Sequence, residues 1–296
     1  MNTEPPETPE PVERDSRGIL DPWLLRQRVQ LTRYPVGPRL DGLIDRFWAV
    51  RWDLPPGIVH RQDVLTHPSA NLSVGHANLD DAADAHTVTK IEARLNGVAK
   101  RVSTRNLAGQ GWAVAAMTSP GGLGALVSGD AARFTDRVVP LGDALDLDEP
   151  MLLKEIVAAD DEAHRIAVLA RALERAVRPG RVAEARQVAA VSKLAETDRS
   201  IRRLGDLCER AGIGTRRLQR MFTRNAGVSP TWVLRRYRLL DAAEAVRDGT
   251  PVVWANVAAD LGYADQAHLV RDFRAAIGTT PAAYAQAQSA NAARHH

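Results

Sequence analysis

Apolar and polar positions change rhythm along the chain. Over residues 19–140 the apolar residues come in short runs separated by Gly, Pro and Asp, the pattern of a sandwich or barrel of strands. Asp41–Asp53 reads DGLIDRFWAVRWD. As a strand it places Trp48, Val50 and Trp52 on one face and Phe47, Ala49 and Arg51 on the other. Val64–Val74, Thr87–Ala93 and Gly111–Met117 are further strand candidates. Pro35, Pro38, Pro55-Pro56, His67-Pro68 and Pro120-Gly121-Gly122 mark turns. Over 141–196 the period lengthens to that of a helix. Met151–Val157 is one piece, and Glu162–Val177 carries Ile166, Leu169, Ala170 and Leu173 in step. A break at Pro179-Gly180 precedes a third helix over Arg181–Ala195. Residues 197–285 keep the helical period. The pattern predicts an α+β chain: an arm over 1–18, a β-rich domain over 19–140, a helical linker over 141–196, an all-α domain over 197–285 and a frayed tail over 286–296. The arm is expected to be disordered, having too little apolar surface to offset the entropy of ordering.

One pattern occurs twice in the all-α part. Cys208-x3-Gly212 is matched by Ala258-x3-Gly262, Phe222 by Phe273, Gly227 by Gly278 and Pro230 by Pro281. The offset is 50 residues at the glycines and 51 from the phenylalanine onward, the mark of an internal repeat. Each copy has the chemistry of a helix-turn-helix. In the first, Leu204, Leu207, Cys208 and Ala211 share a helical face, and a small, buried Cys208 lets the next helix approach. Gly212 takes the positive φ of the turn, Ile213 fills the corner and Thr215 caps the second helix, which buries Leu218, Met221 and Phe222. The second copy repeats this with Val257, Ala258, Leu261, Gly262, Tyr263, Leu269 and Phe273. Left outward are Arg216, Arg217, Gln219, Arg220 and Arg224, then Asp265, Gln266, His268 and Arg271. Arg and Gln suit guanine and adenine edges in a major groove; Asp265 is better placed to cap its helix. Thr231–Arg247 reads as one spacer helix of about 25 Å, with Arg235, Arg236 and Arg238 as phosphate contacts or partners of acids.

These residues carry a family resemblance. Residues 199–285 resemble the DNA-binding domain of AraC-type (AraC/XylS) transcription regulators. The matching pieces are Leu218-Gln219-Arg220-Met221-Phe222, Gly227-x-Ser229-Pro230, Arg238-x3-Ala242, Leu261-Gly262-Tyr263-x-Asp265, His268-Leu269-x-Arg271-x-Phe273 and Gly278-x2-Pro281-x2-Tyr284. Cys208 stands where the family usually has Ala, and Gly214 where it often has Ser. The resemblance implies sequence-specific binding to double-stranded DNA by recognition helices 215–225 and 265–276 in adjacent major grooves. Arg216, Gln219, Arg220, Gln266, His268 and Arg271 then fall at base-reading positions, with Arg217 and Arg224 on phosphates. It further implies a cupin-like sensor barrel for the β-rich half and control by a small-molecule effector or partner. A homodimer contact through the linker is implied, and RNA polymerase as a partner if the protein is an activator, the role the resemblance favours.

Charge sharpens this division. The chain has a net charge of +3. Residues 199–284 hold 14 arginines and no lysine against 8 acids, a surplus of six that leaves the remainder at −3. A basic module beside a mildly acidic one fits a polyanion binder joined to something else. The single cysteine allows no internal disulfide, and no apolar run reaches 18 residues. The N-terminus reads as neither signal nor transit peptide, so a cytoplasmic protein without membrane contact is expected. His60, His67, His76 and His86 lack the spacing of a metal set, and neither a ligand triad nor a nucleophile–base set is present. No metal, no cofactor and no enzyme are therefore expected. Trp23, Trp48, Trp52 and Trp112 are candidates for core or for a small-molecule pocket. Two alternatives stay open: a cupin-type enzyme with an appended DNA-binding domain, and a non-specific architectural DNA-binding protein.

Overall fold

The computed structural model of the chain describes residues 17–77, 90–245 and 253–295, without the side chains of Trp23 and of 291–295. The arm expected over 1–18 lies outside the described residues except for Arg17 and Gly18, and both of those are packed. Helix α1 (Pro22–Arg28), whose Leu24 N–H is capped by Asp21, leads into the strands. These are β1 (Val29–Tyr34), β2 (Ile44–Asp53), β3 (Val59–Val64), β4 (Asn71–His76), β5 (Ile91–Asn96), β6 (Ser103–Ala108), β7 (Gln110–Thr118) and β8 (Val138–Pro140). Six of them form one antiparallel sheet in the order β1-β2-β7-β4-β5-β8, and β3 pairs with β6 in a second.

The period of two gives the large sheet two unlike faces. Phe47, Ala49, Leu72, Val74, Leu95 and Val114 point into one core. Helix α4 (Glu162–Ala176) covers that face with Ile166, Leu169 and Leu173. The alternate residues of the same strands face the β3–β6 pair across a cavity. Before α4 come α2 (Leu141–Ala144) and α3 (Glu149–Ala158), the latter with Met151 and Val157 exposed. After it, α5 (Pro179–Thr197) sends Val188 and Val191 into the core of the C-terminal half.

That half consists of α6 (Leu204–Ala211), α7 (Thr215–Asn225), α8 (Pro230–Glu244), α9 (Trp254–Asp260), α10 (Gln266–Ile277) and α11 (Pro281–His295). Its core is continuous with Leu65 and Val98 from loops of the β-rich half. No described helix is long and apolar enough to cross a membrane.

Several expectations are corrected. Val64–Val74 is not one strand: residues 65–70 turn at His67-Pro68 between β3 and β4. Thr87–Ala93 shifts to β5, with 87–89 outside the described residues. The spacer helix ends at Glu244, so α8 is about 22 Å long, and residues 246–252 lie outside the described set. The tail over 286–296 is instead the second half of α11 as far as His295, and Gln288 Nε2 donates to the Leu20 carbonyl at 2.6 Å.

Candidate nucleic-acid interface and interior cavity

In the first helix-turn-helix the turn is made by Gly212 at φ 64, and Ile213 N–H reaches back to the Cys208 carbonyl at 3.0 Å. A residue with a Cβ would be strained at that φ. Thr215 is the first residue of α7 and not its cap; Gly214 is the cap and offers no side chain. Cys208 is half-buried, not buried, with Sγ 3.6 Å from Thr215 Oγ1. Leu218, Met221 and Phe222 seat α7 on the core, which leaves Arg216, Gln219 and Arg220 exposed on one stripe. Arg217 and Arg224, also exposed, lie on a neighbouring stripe. Arg224 sits 3.8 Å from Glu184 of α5, and Asn225 Nδ2 donates to the same carboxylate at 2.7 Å.

The second unit repeats the turn. Gly262 has φ 70 and Tyr263 N–H reaches the Ala258 carbonyl at 2.8 Å. Asp265 caps α10 by accepting from His268 N–H at 2.6 Å. Gln266 and Arg271 are exposed, but five residues at about 100° each put them about 140° apart on the helix. Arg271 shares its stripe with Ala267 and Ala275. His268 is half-buried. Its ring meets Tyr263 edge-on at 5.2 Å, and its Nε2 lies 3.7 Å from Asp272.

The two halves are joined by contacts between residues far apart in the chain. Arg236 was expected on phosphates or acids, yet it is 2% exposed. It donates to the carbonyls of Thr66 (3.1 Å), Ala99 (3.2 Å) and Lys100 (2.6 Å), all in loops of the β-rich half. Its guanidinium lies 4.6 Å above the Trp232 ring, and burial lowers its pKa to about 10. The signal was available: Val233, Arg236, Tyr237 and Leu240 form the i, i+3, i+4, i+7 stripe of the buried face. Val102 N–H also donates to the Ala276 carbonyl of α10 at 3.0 Å. Arg17 pairs with Glu196 of α5 at 2.6 Å and with Asp241 of α8 at 2.7 Å.

Behind this joint lies a cavity of about 260 Å³ between the two sheets. Strand register lays its wall out in rows. One row is Arg46, Met117, Asn71 and Asn96; the next is Arg33, Trp48, Ala115, Ser73 and Arg94. Then come Leu31, Val50, Ala113, Gly75 and Glu92, and finally Val29, Trp52 and Gly111. The wall thus grades from basic and amide-rich to apolar. Gly111 is required where it stands, since a Cβ there would lie 2.3 Å from the Trp52 ring. Trp52 Nε1 donates across the cavity to the Ala108 carbonyl at 3.2 Å. Trp48, Val50 and Trp52 therefore do share a face, and it points inward. Trp112 flanks this region with its ring edge-on to His76; the Trp23 side chain is outside the described residues.

The histidines are engaged singly. His60 Nε2 lies 3.2 Å from Gln62 Oε1, and His67 Nε2 lies 3.3 Å from the Arg17 carbonyl; burial lowers both pKa values. His76 Nδ1 accepts from Trp112 N–H at 3.1 Å. His86 lies outside the described residues. Among those described, no three His, Cys, Asp or Glu side chains gather as a metal site would need.

Residues 207–287 match a family model described as a helix-turn-helix domain, of AraC type. Residues 32–140 match one described as a domain of unknown function. No protein of curated function matches the sequence. Among solved structures the chain is similar to ToxT of Vibrio cholerae. In its P21 crystal form that protein is 12% identical over 88% of this chain and 98% of its own, with a TM-score of 0.37. In crystals bound to an unsaturated fatty acid it is 14% identical over 81% and 94%, with a TM-score of 0.38.

Proposed function

We propose that this chain, whose residues 207–287 are an AraC-type helix-turn-helix domain, is a sequence-specific DNA-binding transcription regulator controlled by a small molecule held in the β-rich half. The observation that carries the reading is the repeated turn with its exposed recognition stripe of Arg216, Gln219 and Arg220 on α7. These are the three side chains we assign to base edges. Gln266 and Arg271 extend the reading into a second groove. His268, held by Tyr263 and Asp272, contributes less, and Arg217 meets phosphate. Arg224, beside Glu184, reaches phosphate only by leaving that carboxylate.

The cavity, which opens beside loops that Arg236 and Val102 tie to the DNA-binding half, is the natural place for an effector to shift the population of DNA-competent states. We place the protein in the cytoplasm with its DNA and assign it no catalytic role. A homodimer would meet through 141–196, where Met151 and Val157 of α3 are exposed, and RNA polymerase is a partner if the protein activates.

Footprinting on the chain's own upstream DNA, with random DNA as competitor, tests the reading. The expected result is one protected segment of about two helical turns per protomer. Protection that random competitor abolishes at equal mass would make the protein an architectural binder.

A further inference from the structure

We propose that the interior cavity takes an organic anion with an apolar body, its charged head on Arg105 at the end of the cavity beneath the 97–102 loop. This rests on the reading of the β-rich half as the controlling half of a DNA-binding regulator, and it names the ligand class of that site.

The charge balance of the wall carries the argument. Five arginines line the cavity, Arg17, Arg33, Arg46, Arg94 and Arg105, and among the described residues Glu92 is the one carboxylate in the wall. Three of the five have acids: Arg17 has Glu196 and Asp241, Arg46 has Asp45, and Arg94 has Glu92. Arg105 differs. Its guanidinium donates to Asn96 Oδ1 at 2.9 Å and to the Thr104 carbonyl at 3.3 Å, both neutral acceptors. Burial and the neighbouring charge of Arg94 work against its protonated form, yet an arginine side chain stays charged. A half-buried guanidinium with neutral partners, one charge too many for its surroundings, is relieved by an incoming anion.

The other end of the cavity states what the rest of the ligand is. Val29, Leu31, Val50, Trp52 and Leu107 present hydrocarbon and ring surface with no charge. A free inorganic anion would leave that surface empty, and a neutral apolar molecule would leave Arg105 unrelieved. Entry is also provided for. An open groove of about 570 Å³ shares Thr66, Asn71, Asn96, Ser103 and Arg105 with the cavity. It adds Lys100, Arg101 and Arg137 against a single acid, Asp136. A basic mouth of this kind concentrates anions before they enter.

The mouth is also the joint. Ala99 and Lys100 are the loop residues whose carbonyls hold Arg236 of α8, and Val102 holds the end of α10. A head group on Arg105 thus sits on the strand that follows the loop both DNA-binding segments grip, three residues past Val102, and its arrival changes the footprint.

The test uses the full chain and three molecules with one body and three heads: 4-phenylbutyrate, 4-phenylbutan-1-ol and 4-phenylbutylammonium. Calorimetric titration without DNA should show the acid binding about tenfold or more tighter than the alcohol, as one charge-assisted contact predicts, and no heat from the ammonium. Arg105→Gln should bring the acid down to the level of the alcohol, and Arg105→Lys should restore part of the difference. If Arg105→Gln does not fold, salt replaces it: raising ionic strength should weaken the acid and leave the alcohol unchanged. Equal binding of acid and alcohol, no binding of the acid, or a preference that survives Arg105→Gln would overturn the assignment. A footprint unchanged by bound acid would leave the ligand class standing and overturn control of DNA binding, so the two failures are told apart.

Discussion

The two helix-turn-helix units share a turn and a core but not a surface. In both, a glycine in the left-handed region lets the following residue bond back across the turn, to Cys208 in one and Ala258 in the other. In both, a phenylalanine with no exposure anchors the recognition helix. Outward they diverge. Helix α7 carries four arginines and no acid, whereas α10 carries Arg271 and Arg274 against Asp272. The anchoring diverges too. Helix α7 is tied to α5 through Asn225 and Glu184 and packs against a short turn of helix at Gly122–Ala125. Helix α10 meets Trp254, Tyr284 and the Val102 amide. The repeat has kept what the turn needs and let the electrostatics and the neighbours drift. The first unit then carries more positive charge outward than the second, and both touch the β-rich half, α7 through the turn at Gly122–Ala125 and α10 through the Val102 amide.

The largest test of that difference is the core. Phe222→Ala and Phe273→Ala should each cost about 3–5 kcal/mol in denaturant unfolding. Their reach should differ: hydrogen exchange should quicken across α5, α7 and α8 in the first variant and stay within α9–α11 in the second. Equal spread in both would mean the units are anchored alike. Next in size are the recognition stripes. Arg220→Ala should lose about 1–3 kcal/mol of preference for the operator while keeping part of its non-specific binding. Arg217→Ala should weaken all DNA evenly and lower the salt slope by about one. If Arg271→Ala costs more preference than Arg220→Ala, the second unit is the main reader.

The turns were legible in the sequence because their determinants are local. A glycine, the small residue four before it and the apolar residue after it fix each corner without help from elsewhere. The inward face of β2 was legible as a set but not as a direction, because alternation separates two faces without naming which one meets the helices. Strands β3 and β6 escaped detection because VHRQDV and STRNLA have no apolar alternation; apart from the buried His60, their polar residues face a basic cavity or solvent. Arg105 escaped for a longer-range reason. Its place opposite Gln62, and beside Asn96 of a different sheet, follows from register and packing that no short window contains. Arg236 has the charge of a phosphate contact but the position of a core residue in an apolar stripe.

Smaller effects sharpen the comparison further. Gly212→Ala and Gly262→Ala should each lose about 1 kcal/mol to left-handed backbone strain. The second should lose slightly more, because a Cβ at Gly262 lies 3.1 Å from the Arg202 side chain while one at Gly212 meets nothing.

The smallest effect concerns the caps, where the units differ by a single side chain. Asp265 accepts an amide proton at the start of α10, and Gly214 offers none at the start of α7. Asp265→Ala should therefore cost about 1 kcal/mol. Gly214→Ser should gain only a few tenths, since glycine is itself a tolerated cap. At φ −63 and ψ 147 the Gly214 backbone suits serine without strain, and nothing lies near its Cβ. Thermal unfolding of the two variants against the parent decides this. A loss of stability in Gly214→Ser would mean that the serine hydroxyl does not cap α7; a footprint that shrinks with stability kept would mean that the bare cap serves close approach of DNA to the helix start.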